Sequence, residues 1–233
     1  MFKKKDTATH LIFHTSGSKQ KRDLFSPQEG MKLLPDWFKT IDRNQEYPTL
    51  ATCPGFIELF KKSINIPLWS DIKITYKGNQ LTDVQMPGIG QMSREFIQVH
   101  TPDQWGDGFK NSLHIKLMSP WHITSNKDTP FLMHDAVWHK EHIDGYNVLP
   151  GVMEFKYQHA SHINIMLPNS SIEKTLMLKA GTIIAHLTPL SDTKLSIESK
   201  LISQEKWMGL QNYISSFKTP YATAKKIGMR LIK

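Results

Sequence analysis

From Ile72 to Ile202 the chain is a succession of short apolar or alternating runs, each closed by turn-forming residues, and that punctuation limits what it can fold into. Ile72, Ile74 and Tyr76 alternate with Lys73 and Thr75, the period-2 pattern of a half-buried strand. Lys77-Gly78-Asn79 then supplies a turn into a hairpin partner at about Leu81 to Met86. Further runs stand at Phe96–Val99, Leu113–Leu117, Phe131–His134, Gly151–Tyr157, Ile163–Leu167, Thr175–Leu178, Ile183–Leu187 and Lys194–Ile202. Thr101-Pro102-Asp103, Gly106-Asp107-Gly108, Asp128-Thr129-Pro130, Asp144-Gly145, Pro168-Asn169 and Ala180-Gly181 separate them, and each of these chemistries reverses a chain. No helix-length segment intervenes, which argues against a parallel α/β sheet. The expected fold is mainly β, a β-sandwich or barrel, mostly antiparallel, with a few short flanking helices.

Helical signals lie outside this stretch. Pro35-Asp36-Trp37-Phe38 places proline where a first helical turn tolerates it, so a helix is expected near 35–42. A second is expected near 54–64, where Phe56, Ile57, Leu59, Phe60 and Ile64 share one apolar face and Lys61 and Lys62 sit near its end. A third spans about 204–217 and presents Trp207, Leu210, Tyr213, Ile214 and Phe217 on one side. A helix of that length is weak alone and must bury its face. These five residues are therefore interface candidates, with packing back onto the chain's own sheet as the alternative. The expected organisation is a basic N-terminal arm over 1–26, holding one strand around Leu11-Ile12-Phe13, a β-rich domain over 27–202, and a C-terminal helix and basic tail over 203–233.

Hydrophobic residues make up 39% of the 233 and charged residues only 21%, a balance that builds a core and not a disordered chain. The net charge of +8 is carried largely by the ends. In the first 22 residues Lys3, Lys4, Lys5, Lys19, Lys21 and Arg22 face a lone Asp6, and in the last sixteen Lys218, Lys225, Lys226, Arg230 and Lys233 face no acid. Such ends suit nucleic acid or an acidic protein surface, and equally suit solvated tails. The single cysteine, Cys53, excludes an intrachain disulfide and a cysteine-based zinc site. No apolar run approaches the ~20 residues of a membrane helix, so a soluble protein without a membrane partner is expected.

The densest polar cluster runs from His134 through Asp135, His139 and Glu141 to His142, with His159 and His162 beyond it. Imidazole and carboxylate ligate zinc and non-haem iron, which makes His134, His139 and His142 the best metal candidates. Their spacing is poor: His139 and His142 share a face only in a helix, and His159 and His162 fall on opposite faces of a strand. No metal and no other cofactor is expected. No nucleophile elbow, Walker loop or carboxylate pair stands out, so no catalytic residue is assigned and the chain reads as leaning away from an enzyme. Trp121, Trp138 and Tyr157 lie in or beside turns and, with His159 and His162, are the ligand candidates. Aromatic residues so placed anchor interfaces or fill cores.

Three stretches resemble the β-clip core of deoxyuridine triphosphatases and deoxycytidine triphosphate deaminases: Leu149-Pro150-Gly151-Val152-Met153-Glu154-Phe155, His162 to Asn169, and Leu178 to Leu187 with Gly181 ahead of Ile184-Ala185-His186-Leu187. The resemblance implies a β-clip fold. Its functional residues do not carry over, since Leu149 stands where that family has an acid and no serine-arginine phosphate segment lies around Trp138. Leu34-Pro35-Asp36-Trp37-Phe38, Cys53-Pro54-Gly55-Phe56, Ile66-Pro67-Leu68-Trp69-Ser70-Asp71, Ser119-Pro120-Trp121-His122-Ile123 and Gly181-Thr182-Ile183-Ile184-Ala185 form a second pattern. Through these segments the chain as a whole resembles a family of tailed-phage proteins, cyanophage-like. That resemblance implies a non-enzymatic binding or structural protein of a virion or an assembly, found in the virion or the host cytoplasm. Other phage proteins are then its partners in a homo- or hetero-oligomer. The alternatives are a nucleotide-binding protein or nucleotide hydrolase on a β-clip fold, and a metal-dependent enzyme using the cluster from His134 to His142.

Overall fold

The computed structural model describes residues 8–87, 96–104, 109, 111–140 and 145–215, with backbone alone for 102 and 211–215. In chain order the elements are β1 (Thr9–Thr15), α1 (Lys19–Phe25), β2 (Gln28–Glu29), α2 (Asp36–Lys39), α3 (Pro54–Lys62), β3 (Ile64–Pro67), β4 (Ile72–Lys77), β5 (Gln80–Gln85), β6 (Ile97–Val99) and β7 (Ser112–Leu117). They continue with β8 (His122–Ser125), β9 (Phe131–Asp135), β10 (Asn147–Val148), β11 (Gly151–Met153), β12 (Ile163–Pro168), β13 (Lys174–Leu178), β14 (Ile183–Pro189), β15 (Leu195–Leu201) and α4 (Gln204–Ser215). The protein is mainly β, as expected, and its sheets form a sandwich with few helices and no closed barrel among the described residues.

Four sheets have the orders β11-β9-β14-β3-β2, β10-β12-β7-β6, β15-β1-β8 and β13-β4-β5. All described pairings are antiparallel except β1 with β15, which run parallel from Thr9 opposite Leu195 to Thr15 opposite Leu201. One core receives side chains from every sheet: Phe13 of β1, Ile66 of β3, Ile74 of β4, Ile115 of β7, Phe131 of β9, Ile165 of β12 and Ile184 of β14. Alternation explains β1 and β4, whose odd and even positions respectively turn inward. In β14, the middle strand of the five-stranded sheet, Ile183 to Leu187 are all buried, which puts His186 inside. A second, smaller core joins Phe38 of α2 to Phe56 and Phe60 of α3.

Differences from the sequence reading have local causes. Residues 1–26 were expected as an arm, yet β1 is the middle strand of its sheet and α1 follows it. The inward Thr9 of β1 bonds Thr129 and Thr193 through its hydroxyl at 3.0 and 2.9 Å, which satisfies a buried polar group. The helix expected to reach residue 64 ends at Lys62, because Ile64 to Pro67 are all buried as β3 beside β14. The run Gly151–Tyr157 pairs only to Met153, and Phe155, fully buried against Phe131 at 5.5 Å, turns the chain inward. Tight packing beside α3 requires Gly30 at the start of a 3-10 turn (Gly30–Lys32): a Cβ there would overlap the Phe60 carbonyl oxygen.

Candidate functional site

A cleft of about 480 Å³ opens where strand ends from three sheets meet. Thr15 ends β1, and Ser16 and Gly17 follow it; Trp69 and Ser70 follow β3; Met118 to Trp121 join β7 to β8; His162 precedes β12. Two helices complete the wall, α1 with Lys21, Arg22 and Phe25, and α4 with Gln204 and Trp207.

Each wall segment is fixed by its own bonds. Ser18 caps α1 by accepting from the Lys21 amide at 3.2 Å, which sets Lys21 and Arg22 on the rim. Leu68 exchanges backbone bonds of 2.8 Å with Gly181 and Thr182, and Asp71 Oδ1 accepts from the Ala180 amide at 2.8 Å. These bonds hold Trp69 against the turn before β14, where Gly181 has φ of 85°, a conformation that favours glycine. Ser119 Oγ accepts from the Trp121 amide at 3.1 Å, and Ser161 Oγ donates to the Trp121 carbonyl at 2.8 Å. Trp121 meets Phe13 edge-on at 6.4 Å. Trp207 lies flat on His122 of β8, with centroids 4.5 Å apart and planes at 8°, and donates its indole N–H to the Pro120 carbonyl at 3.1 Å.

The electrostatics are one-sided. Lys21 and Arg22 bring positive charge, and no carboxylate lines the cleft among the described residues. Arg22 bonds the exposed Asp23 through Nε at 2.7 Å, whereas Lys21 has no ion-pair partner among the described residues. Burial, reinforced by Lys116 and His122, pushes the His162 pKa down to about 4, so its imidazole is neutral at physiological pH. Burial also takes His122 down to about 4, with His159 and His14 adding to the shift. His159 donates from Nδ1 to the Ile123 carbonyl at 2.9 Å one layer behind the cleft. The indole nitrogens of Trp69 and Trp121 and the Nδ1 of His162 are buried without a hydrogen-bond partner among the described residues.

The structure thus gathers Trp121, His162 and Trp207 from the sequence candidates. Leu210 is half-buried on α4 and does not line the cleft; the side chains of Tyr213 and Ile214, and all of Phe217, lie outside the described residues. Tyr157 sits in the turn after β11, with Lys156 Nζ 5.6 Å from its ring. Trp69, Lys21 and Arg22 were not singled out as ligand residues. Their signals were present in the Ile66 to Asp71 segment and in the basic N-terminal block, without anything to place them side by side.

Trp138 belongs to a separate aromatic face. Its ring lies 5.2 Å from Phe56 and 5.9 Å from Trp37, and its carbonyl accepts the Trp37 indole N–H at 2.8 Å. Both indoles stay 38% exposed, so this contact leaves much of each open to solvent. Beneath them His139, His134 and the unanticipated His186 cluster, with His186 5.4 Å from His134 and 5.5 Å from His139 between ring centres. Phe60 packs edge-on against both His139 and His186. Burial, then the two neighbouring imidazoles, pushes His186 down to about 3, and burial takes His139 to about 4. His134 donates from Nδ1 to the Asp135 carbonyl and accepts at Nε2 from Thr188, both at 3.1 Å, which commits both of its nitrogens. The Asp135 carboxylate is held by the buried Lys140 at 2.6 Å and by the Val148 amide at 3.2 Å. No group of three or more His, Cys, Asp or Glu side chains is arranged for a metal among the described residues, and His142 lies outside them. Cys53 is a free thiol ahead of α3.

No protein-family model matches the chain, and no curated protein matches it in sequence. No helix among the described residues is long and apolar enough to cross a membrane.

Proposed function

We propose that this protein is a binding component of a larger assembly, not a catalyst, and that the assembly is a phage virion or an intermediate on the way to one. The observation that carries the reading is the Trp37–Trp138 pair. Two large rings remain partly open to solvent on a base of Phe38, Phe56 and Phe60, and the indole-to-carbonyl bond fixes their mutual orientation. Rigid, partly exposed tryptophans bury much apolar surface for little entropy, the property of interface anchors. The resemblance of Leu34 to Phe38 and Cys53 to Phe56 to tailed-phage segments supports the same face, since both segments meet in this small core. The C-terminal helix and the basic ends are further contact candidates within the proposal.

Mass spectrometry of purified virions and of assembly intermediates tests it. Peptides of this chain at stoichiometric abundance are expected, and absence from both would remove the reading. Trp138→Ala is the sharper variant, because the carbonyl that holds Trp37 belongs to the backbone and survives the change. If Trp138 anchors a contact, binding to the partner should weaken by about 2 kcal/mol, the scale of an interface hot spot. Unchanged incorporation of a folded Trp138→Ala chain would move the contact elsewhere.

A further inference from the structure

We propose that the cleft at the strand ends is a binding site for a small planar aromatic anion, a flat ring that carries a phosphate or a carboxylate. The site is separate from the Trp37–Trp138 face, and the inference stands independently of the assembly reading.

Size and shape come first. A cavity of about 480 Å³ falls within the roughly 300–1,000 Å³ of sites that enclose small ligands. Its wall is contributed by segments distant in sequence, and hydrogen bonds hold those segments in place without any ligand. Such a wall binds without first being ordered, which favours affinity.

The chemistry of the wall selects the ring. Trp69, Trp121 and Trp207 converge on one volume, and indoles favour flat, polarisable partners by stacking or edge contact. Trp69 and Trp121 are 7% and 2% exposed, and their indole N–H groups have no acceptor among the described residues. His162 Nδ1 adds a third unpartnered polar atom at the same wall.

The charge selects the substituent. Lys21 and Arg22 stand at the rim with no carboxylate in the lining among the described residues, so a ligand cation would meet repulsion without compensation. The Arg22–Asp23 pair is exposed on the acid's side and exchanges readily for a ligand anion. A neutral polyol fits less well, because its many hydroxyl donors would find no carboxylate acceptor.

Isothermal titration calorimetry on the full chain tests this with two matched pairs of probes: adenosine monophosphate against adenosine, and indole-3-acetate against indole-3-acetamide. Saturable binding of at least one anion is expected, with its neutral counterpart about tenfold or more weaker, since a charge-assisted contact is lost. The pair that binds distinguishes phosphate from carboxylate. Lys21→Ala with Arg22→Ala should weaken the anion by about tenfold or more and leave the chain folded by circular dichroism, because Lys21 is exposed and, among the described residues, the only ion pair lost is that of the partly buried Arg22 with the exposed Asp23. Trp207→Phe keeps a ring on His122 and should weaken both members of a bound pair alike. A folded chain that binds none of the four probes, or binds anion and neutral form equally, would overturn the proposal. So would binding that is indifferent to the Lys21/Arg22 double variant. None of these outcomes bears on incorporation into an assembly.

Discussion

Acidification from pH 7 to pH 5 should bring this protein close to unfolding, and the reason is countable from its buried imidazoles. His122, His139 and His162 are held at about 4 and His186 at about 3, against 6.5 for an accessible histidine. Burial is the first cause in all four. Secondary lowering comes from His159 and His14 at His122, Lys116 and His122 at His162, and His134 and His139 at His186, while at His139 Asp36 opposes the shift and Lys39 adds to it. Because the folded values lie below the unfolded one, the unfolded chain binds more protons as pH drops below 6.5. Stability is therefore complete above that pH and is lost progressively towards pH 4. At pH 5 His122, His162 and His186 each favour unfolding by about 2 kcal/mol, a figure nearly independent of whether the folded value is 4 or 3, and the more exposed His139 by about 1 kcal/mol after solvent screening. Together they give about 7 kcal/mol, comparable with the whole stability of roughly 5–15 kcal/mol of an ordinary domain. His14, His114 and His159 are depressed in the same direction and add to the effect. Urea unfolding followed by circular dichroism at constant ionic strength should show stability falling by about 4 kcal/mol per pH unit between pH 6 and 5. His186→Leu should flatten that slope by about one proton in four. Stability that stays flat between pH 7 and 5, or a slope that His186→Leu leaves untouched, would refute the reasoning.

Two further variants probe how the folded chain is held together. Lys140→Met strands the Asp135 carboxylate in the partly buried site it shares with Lys140, and should cost about 3–5 kcal/mol, measured by urea unfolding. Adding Asp135→Leu should recover part of that loss, and a double variant no better than the single one would argue against the pair. Gly30→Ala forces the 3-10 turn off α3 and should cost about 1–3 kcal/mol in the same assay, whereas Gly55→Ala, with open space around it, should leave stability within ~0.5 kcal/mol.

The β character of this protein, its turns and the start of its second long-periodicity segment were legible along the chain. The hairpin of β4 and β5 forms across Gly78, whose φ is 62°, and α3 begins at Pro54 with Phe56 and Phe60 buried. Those features depend on residues within one turn or one strand of each other, so local pattern carries them. The place of β1 was not legible. Leu11 and Phe13 announce a strand, but only the docking of β15 on one side and β8 on the other makes it a central one. The same holds for β3, too short for its alternation to show and buried on both faces beside β14. At the cleft, Trp121, His162 and Trp207 could be picked out by residue type, yet nothing in their numbering relates them to Trp69 or Lys21. His186 reads as one polar residue in an apolar strand, and it becomes a desolvated neighbour of His134 and His139 only when β14 pairs with β9. Periodicity is written in residues a few positions apart, whereas strand order, burial of a titratable ring and the walls of a cleft come from contacts between distant segments, which the tertiary structure alone decides.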